Sequence, residues 1–558
     1  MSSKEIIAQI LKLRGISDPE TFLHPDFERD THDPMLMKDM DKAVARLRQA
    51  MERKETVGIF GDYDADGVPA TALLVRALTR LGIKTVPHIP TREAGYGLSA
   101  ESVELLLAEK YPLLITVDNG TVSKLEIAML QSAGTDVIVC DHHEPLADNV
   151  AAPFALLNPK QPDCTYPFKE LCACAIAWKL ASALYASLDM DAAPLKWEMD
   201  LVALSTIADM VPLLGENRVL ATFGLKVLRK TRNLGLKELA RVAGTELVVV
   251  TAGSVGFRLA PRINAPSRMH NETVKGNNAA LQLLISDDAQ EAVSLANYLD
   301  GQNVARQDLL EKELREAFGL VRKKTSDHCL VVYKPEWSSG VIGLLAGRLA
   351  EQFGRPVIVL TKEGNAIKGS VRSVNGINAV ALMAAGNEFL ERFGGHAKAG
   401  GLTLKPILPG EDIETVERFR QCLVDWTAGQ GFSLEEMADS ARRRPDLDLS
   451  LADISLELAE GLDDLQPFGI GFPTPLFATT CEVRSLRQVG REKQHLSLQL
   501  VQGGVSRKGI AFSHGEPIVK EGDRVRAEYT VQIEEWQNVR SPSCQVQRLV
   551  LEKEGKEG

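Results

Sequence analysis

Cysteine is scarce in this chain, eight in 558 residues, and irregularly placed. That excludes a disulfide framework and fits a reducing compartment. Only Cys172 and Cys174, in "ELCACAIAWKLASALY", stand close together. No second pair at zinc-site spacing answers them, so both are expected to pack in a helix. Apolar runs of membrane-spanning length are missing, and the opening "MSSKEIIAQILKLRG" has no long apolar segment behind a basic one. The expectation is a cytoplasmic protein with no membrane partner. Positive charge is in deficit as well. A formal net charge of −11 argues against a surface coated with nonspecific phosphate contacts, although local basic grooves and bound divalent cations overcome an unfavourable average. The chain also lacks internal repeats and low-complexity tracts.

What is present is an ordinary globular composition, 44% hydrophobic and 25% charged, with length for three or four domains of about 150 residues. From about residue 55 to 145, short apolar runs alternate with amphipathic ones: "TVGIFG", "VPATALLVRALTRLG", "KTVPHIP", "SAESVELLLAEK", "PLLITVD", "VSKLEIAMLQSAG" and "TDVIVCD". The alternation predicts a mostly parallel, doubly wound sheet, whose ligands collect at the carboxyl ends of the strands. The amphipathic stretch from 272 to 324 predicts a helical connection, and a second α/β region begins at "HCLVVYKPEW". Beyond a charged joint, "PLFATTCEVRSLRQVG", "HLSLQLVQ", "RKGIAFSHG" and "DRVRAEYTVQIEEW" predict a five-stranded β-barrel of oligonucleotide-binding type.

Three successive strand ends turn into acidic or imidazole side chains: "GDYDADG", "DNGT" and "DHHEP". Asp64 and Asp66 flank Ala65 with Gly67 behind them, so a tight turn can bring both carboxylates to one side; Asp62 lies one step back. With Asp118, His142, His143 and Asp209 the set mixes hard oxygens with imidazole nitrogens and has no thiolate. It suits Mn²⁺ or Mg²⁺, two ions sharing carboxylates. Such a pair activates a water and stabilises the leaving oxygen in phosphate-ester hydrolysis. Each fragment alone reads as a turn or a hydrogen-bonded core acid. Their coincidence at three consecutive strand ends points to a site.

In this order, "DYDADG", "VDNG", "DHHEP" and "STIADMVPL" resemble the first four motifs of the DHH phosphoesterase superfamily. "FRLAPRINAPSR", "WSSGVIGLLAGRL", "GSVRS", "FGGHAKAGG" and "LQPFGIGFPTPLF" resemble its RecJ branch of single-strand-specific exonucleases, over roughly residues 40–550. Pattern and resemblance together divide the chain into a helical extension at 1–45, a DHH catalytic lobe at 46–271, connecting helices at 272–324, a DHHA1 lobe at 325–430, a joint at 431–464 and the barrel at 465–555. The resemblance implies metal binding by Asp64, Asp66, Asp118, His142 and Asp209, with His143 beside the ions and Asp62 a weaker candidate. Arg262 and Asn264 would meet the DNA backbone. Ser370, Arg372, Gly394, Gly395 and His396 would cradle a phosphate, the glycines allowing close backbone approach. Two positions depart from the pattern: Phe60 stands where other branches have histidine, and Pro266-Ser267-Arg268 where Ala-Gly-Arg is usual.

The implied activity is hydrolysis of single-stranded DNA from the 5′ end to 5′-mononucleotides in recombination and repair; a helicase and a single-strand-binding protein are candidate partners, and whether either delivers the strand is not readable from the sequence. Between Arg484 and Arg526 nine basic and four acidic residues give +5, a candidate strand track. Phe468, Phe472 and Trp536 are stacking candidates for which core packing is the expectation. Two other readings stay open. One is a DHH phosphodiesterase for short oligonucleotides or cyclic dinucleotides, or a pyrophosphatase, none of which needs a barrel. The other is a noncatalytic nucleic-acid-binding scaffold, whose signature would be lost metal ligands.

Overall fold

The computed structural model describes residues 1–145, 149–274, 276–374, 376–408, 410–490, 492–512 and 519–552. Arg491 and Glu516 of the barrel's charge count, and the last three residues assigned to the barrel, 553–555, lie outside them.

The first sheet explains why the acidic motifs converge. Its strands are β1 (Thr56–Phe60), β2 (Lys84–His88), β3 (Leu113–Val117), β4 (Asp136–Cys140) and β5 (Ala155–Leu157). They run parallel in the order β2-β1-β3-β4-β5. β3, "LLITV", is buried at every position, as a parallel strand covered on both faces must be. Helices Met40–Arg53, Gly67–Arg80 and Ala173–Ser187 cover one face, and Ala100–Glu109 with Lys124–Ser132 the other. The winding direction reverses between β1 and β3, so the loops leaving their carboxyl ends open side by side.

A short ribbon of β6 (Thr273–Val274) and β7 (Asn277–Asn278) precedes the linking helix Ala289–Val321, 33 residues long. The second lobe is a mixed sheet, β11-β12-β10-β9-β8, built from β8 (Leu330–Tyr333), β9 (Val357–Glu363), β10 (Ala366–Arg372), β11 (Leu390–Gly395) and β12 (Ala399–Leu404). The end of the linking helix enters this lobe's core through Ala317 and Val321.

The barrel consists of β14 (Phe477–Val489), β15 (His495–Gln502), β16 (Val505–Ala511), β17 (Arg524–Trp536) and β18 (Val539–Leu551). Pairing of β14 with β17 closes it, which removes exposed sheet edges. β13 (Leu447–Asp448), within the stretch read as a joint, already pairs with β14. The helix Ser3–Leu13 belongs in space to the barrel: Ile6, Ile10 and Leu11 are buried in the core that holds Leu458, Phe472 and Tyr529. Arg218, buried in the catalytic lobe, fastens the two units. It donates to the carbonyls of Phe22 (2.8 Å), Leu465 (2.9 Å), Gln466 (3.1 Å) and Pro467 (3.3 Å).

One aromatic expectation is corrected. Phe472 is buried and Phe468 stacks on it at 6.1 Å, but Trp536 is 76% exposed. It ends β17 at a hairpin whose turn residues Gln537 and Asn538 have φ of 50° and 62°, the primed geometry of two-residue hairpins. Every residue from Glu535 to Arg540 is exposed, so the tip has no core to enter. Cys172 and Cys174 are both buried at the start of the helix Ala173–Ser187. Among the described residues no helix is long and apolar enough to cross a membrane.

Candidate active site

The chain leaves β1 and turns at once into the helix Gly67–Arg80. Asp64 holds the turn, its Oδ1 accepting the N–H groups of Asp66 (2.8 Å) and Gly67 (3.1 Å), as aspartates at turns do. Gly67 has no room for a side chain, because a Cβ there would lie 2.5 Å from Asp62 N. Asp66 is fixed from its far side, where its two oxygens accept the N–H groups of Ala173 (2.7 Å) and Cys174 (2.9 Å). Free N–H groups and the positive end of a helix dipole favour a carboxylate in that place. The "CAC" stretch thus supports the site through its backbone.

Asp118 follows β3 in a left-handed conformation, φ 63°, its N–H donating to Cys140 O at 2.9 Å. His142 follows β4, and its Nε2 lies 3.3 Å from Asp118 Oδ1, 3.6 Å from Asp209 Oδ2 and 3.9 Å from Asp66 Oδ2. Asp209 stands at the end of the helix Met199–Ala208. Three sets of ligand atoms lie within 4.8 Å of one another: Asp62, Asp64 and Asp118; Asp66, His142 and Asp209; Asp118, His142 and His143. Every metal candidate from the sequence is in this cluster, and Asp62 joins it. Phe60 is buried against Leu98 and Leu114, so that position serves packing.

Burial, with repulsion among the carboxylates, pushes Asp62, Asp118 and Asp209 well above the usual range and Asp66 up to about 6. Burial, and next the neighbouring His143, push His142 down to about 4. His142 is neutral at pH 7, and its approaches to the acids are those of a ligand rather than an ion pair. Its Nε2 and the Oδ1 of Asp62 are buried without a hydrogen-bond partner. Crowded acids around an unpartnered imidazole nitrogen and carboxylate oxygen are what a divalent cation would satisfy, so the residues fit Mn²⁺ or Mg²⁺.

Sequence reasoning missed several residues here. Asp141 opens "DHHEP", yet it had been given no role. Its Oδ1 accepts His142 N–H (2.8 Å) and lies 2.7 Å from His143 Nδ1, and its Oδ2 accepts Thr121 N–H (2.9 Å). Burial would raise Asp141, but the hydrogen bond and charge of His143 hold it below the usual carboxylate range; Asp141 in turn raises His143 despite burial. The pairing places the His143 proton on Nδ1 and leaves Nε2 to act as a ligand. Tyr96 donates to Asp118 O at 2.7 Å and stands 3.0 Å from His143 Nδ1.

A cavity of about 620 Å³ opens between the lobes beside Tyr63 and Tyr96. Arg92, Arg268, Lys368, Arg372 and Arg392 line it, with no carboxylate among the lining residues. Burial, then Arg92 and Arg306, push Arg268 down to about 10. Arg92 lies 4.8 Å over the Tyr63 ring, its Nε buried without a partner. Ser370 and Gly394 are in the wall; Gly395 and His396 are not, and His396 stands exposed on the β11–β12 turn. Arg262 pairs with Asp300 at 2.8 Å, and Asn264 Oδ1 is buried without a partner. Both lie on the helix Ala260–Arg268, which continues through Pro266 to Arg268.

Three family models match the chain: "DHH family, N-terminal domain" over 56–206, "DHHA1 domain" over 326–428 and "RecJ OB domain" over 445–548. The single-stranded-DNA-specific exonuclease RecJ of Bacillus subtilis is 35% identical over 97% of this chain and 67% of its own length. That of Escherichia coli is 34% identical over 86% of this chain and 84% of its own. The chain belongs to the RecJ family. A RecJ crystal structure from Thermus thermophilus in complex with Mn²⁺ matches with a TM-score of 0.81 at 30% identity, covering 98% of this chain and 76% of that one. A second RecJ structure from the same source, with Mg²⁺, matches at 0.74 and 28% identity over 97% of this chain and 74% of that one. RecJ relatives thus bind both ions that the acid and imidazole ligands suit.

Proposed function

We propose that the protein is a Mn²⁺- or Mg²⁺-dependent exonuclease that digests single-stranded DNA from its 5′ end to 5′-mononucleotides, in recombination and repair. The observation that carries the reading is the acid and imidazole cluster opening directly beside a carboxylate-free arginine cavity. When bound, two divalent ions supply Lewis acidity that readies a water and stabilises the leaving oxygen. Asp62, Asp64, Asp66, Asp118, His142, His143 and Asp209 would hold them, with Asp118 common to two ligand sets. Asp141 keeps the His143 ring in register, and the helix Ala173–Ser187 keeps Asp66 in place. Arg92, Arg268 and Arg372 offer a terminal phosphate a binding site in which no acid competes, and Ser370 and Gly394 let backbone and hydroxyl approach it. That the end bound is the 5′ one, with 5′→3′ polarity, is what the resemblance to the RecJ branch implies.

Arg262, Asn264, Gly395 and His396 would meet backbone outside the cavity, and the basic barrel would track the rest of the strand. The strand has to be unwound or stripped before it enters, so a helicase and a single-strand-binding protein are the assigned partners. The assigned compartment is the cytoplasm, which suits cysteines that stay unpaired.

The test is a single-stranded DNA labelled at its 3′ end, incubated with protein and Mn²⁺ and sampled on a sequencing gel. A ladder of progressively shorter labelled products supports the reading. Immediate release of labelled mononucleotide reverses the polarity, and an intact strand removes the activity. Asp118→Ala should abolish the ladder without loss of fold.

A further inference from the structure

Arg92 and Arg268 both reach the cavity from the catalytic lobe, yet the groups that hold them come from both lobes. The Arg268 guanidinium donates to Gly340 O at 3.2 Å, in the second-lobe loop after β8. Gly340 presses so closely on the catalytic lobe that a Cβ there would lie 1.8 Å from Arg268 O. The contact continues next door, where Ser339 Oγ lies 3.4 Å from His270 Nε2. On its other side, His270 Nδ1, which has no hydrogen-bond partner, lies 3.4 Å from Glu93 Oε1, a close polar approach. Glu93 follows Arg92, whose own N–H donates to Glu272 Oε1 at 3.0 Å. His270 therefore touches both the loop that carries Arg92 and the loop that holds Arg268.

The second-lobe loop is braced from behind by the linking helix. Glu313 Oε1 accepts Ser338 N–H at 2.9 Å, and Glu316 Oε2 accepts the Trp337 indole N–H at 2.9 Å. Pushed from that side, the loop has little freedom to retreat from His270. His270 itself closes the helix Ala260–Arg268 with φ 53° while Asn271 N–H donates to Pro266 O at 2.9 Å. Glycine or asparagine is the ordinary residue at such a helix end. The backbone gives no reason for histidine here; the contacts of its ring do.

We propose that His270 is a positioning residue for recognition of the strand's terminal phosphate, a polar strut running from Ser339 through the imidazole to Glu93 that sets where Arg92 and Arg268 stand relative to the second lobe. This rests on the arginine cavity being the terminal-phosphate site. The strut contributes to binding of a phosphorylated end and contributes nothing to hydrolysis itself.

His270→Asn tests it, because asparagine accepts the left-handed turn and lacks the reach of the ring. Steady-state kinetics with Mn²⁺ compare a 5′-phosphorylated oligonucleotide with its 5′-hydroxyl twin on the full chain. Losing the Ser339 hydrogen bond together with the approach to the Glu93 carboxylate predicts a rise of about three- to tenfold in KM for the phosphorylated strand. kcat stays unchanged, as does KM for the hydroxyl strand. Glu93→Ala, at a side chain 70% exposed and so free of folding consequences, shifts the same KM in the same direction. Arg268→Ala separates the strut from the reading beneath it. If Arg268→Ala keeps the preference for a phosphorylated end, the phosphate site falls and the strut with it. If Arg268→Ala loses that preference while His270→Asn and Glu93→Ala keep the wild-type KM ratio, the strut alone falls. A drop in kcat on both substrates at an unchanged KM ratio also overturns it, leaving His270 a structural residue.

Discussion

Removing divalent ions should make the catalytic lobe less stable as pH rises, and adding them should reverse that slope. Burial and Asp64 raise the Asp66 carboxyl from 3.8 to about 6. A carboxyl raised in the fold favours the folded state fully below its unfolded value, and that contribution is lost as pH climbs through the folded value. At 1.36 kcal/mol per unit, Asp66 alone costs the metal-free protein roughly 3 kcal/mol above about pH 6. Asp62, Asp118 and Asp209 are raised in the same sense and add to the cost. Bound cations convert these ionised acids from mutual repulsion to ligation. With about 2–4 °C of melting temperature per kcal/mol for a lobe of this size, Mn²⁺ should raise the lobe's transition by about 6–12 °C at pH 8 and far less at pH 5. Scanning calorimetry with chelator and with Mn²⁺, at each of several pH values, gives the difference directly, and ionisations remote from the site cancel in it. A difference that is flat with pH, or larger at pH 5, would refute the reasoning.

Three further outcomes are expected. Arg218→Ala leaves four carbonyls without their donor; at about 1 kcal/mol each it should cost about 4 kcal/mol and open the chain near residue 466 to limited proteolysis, with Arg218→Lys recovering only part, because one ammonium cannot replace the fork. Gly67→Ala drives a Cβ into the Asp62 backbone and should lower kcat by about a hundredfold through displaced ligands, while calorimetry shows the barrel transition in place. Trp536→Ala, at an exposed hairpin tip, should change unfolding by less than about 0.5 kcal/mol yet weaken binding of a long single strand about tenfold and leave a trinucleotide unaffected; an unchanged Kd for the long strand removes Trp536 from the track.

Much of the site was legible because a parallel sheet converts strand order into position. Once "VGIF", "LLITV" and "DVIVC" are read as neighbouring strands, Asp64, Asp118 and His142 have to open at one edge. Asp209 was legible as an acid alone in an apolar helix. What sequence patterns could not supply were contacts closed by tertiary structure. Asp141 stood in plain view in "DHHEP", but its hydrogen bond to His143 depends on a turn that no periodicity reveals. Arg92 and Tyr96 lie in "TREAGYGL", which reads as a bare turn until the second lobe packs over it. Trp536 misled because alternation continues along β17 past the point where the barrel's core ends. The packing of the helix Ser3–Leu13 was not legible for another reason: an amphipathic face identifies a buried side but not the element that covers it.

That cover sets a timetable for the chain as it is made. Met1 and Ser3 meet Asp453 and Ser455, 452 residues onward. At about 5–20 residues per second, the ribosome takes roughly half a minute to a minute and a half to deliver the surface on which Ile6, Ile10 and Leu11 close. Through that interval the helix Ser3–Leu13 holds its apolar face open to water, so a segment made 452 residues before its cover waits longest for protection.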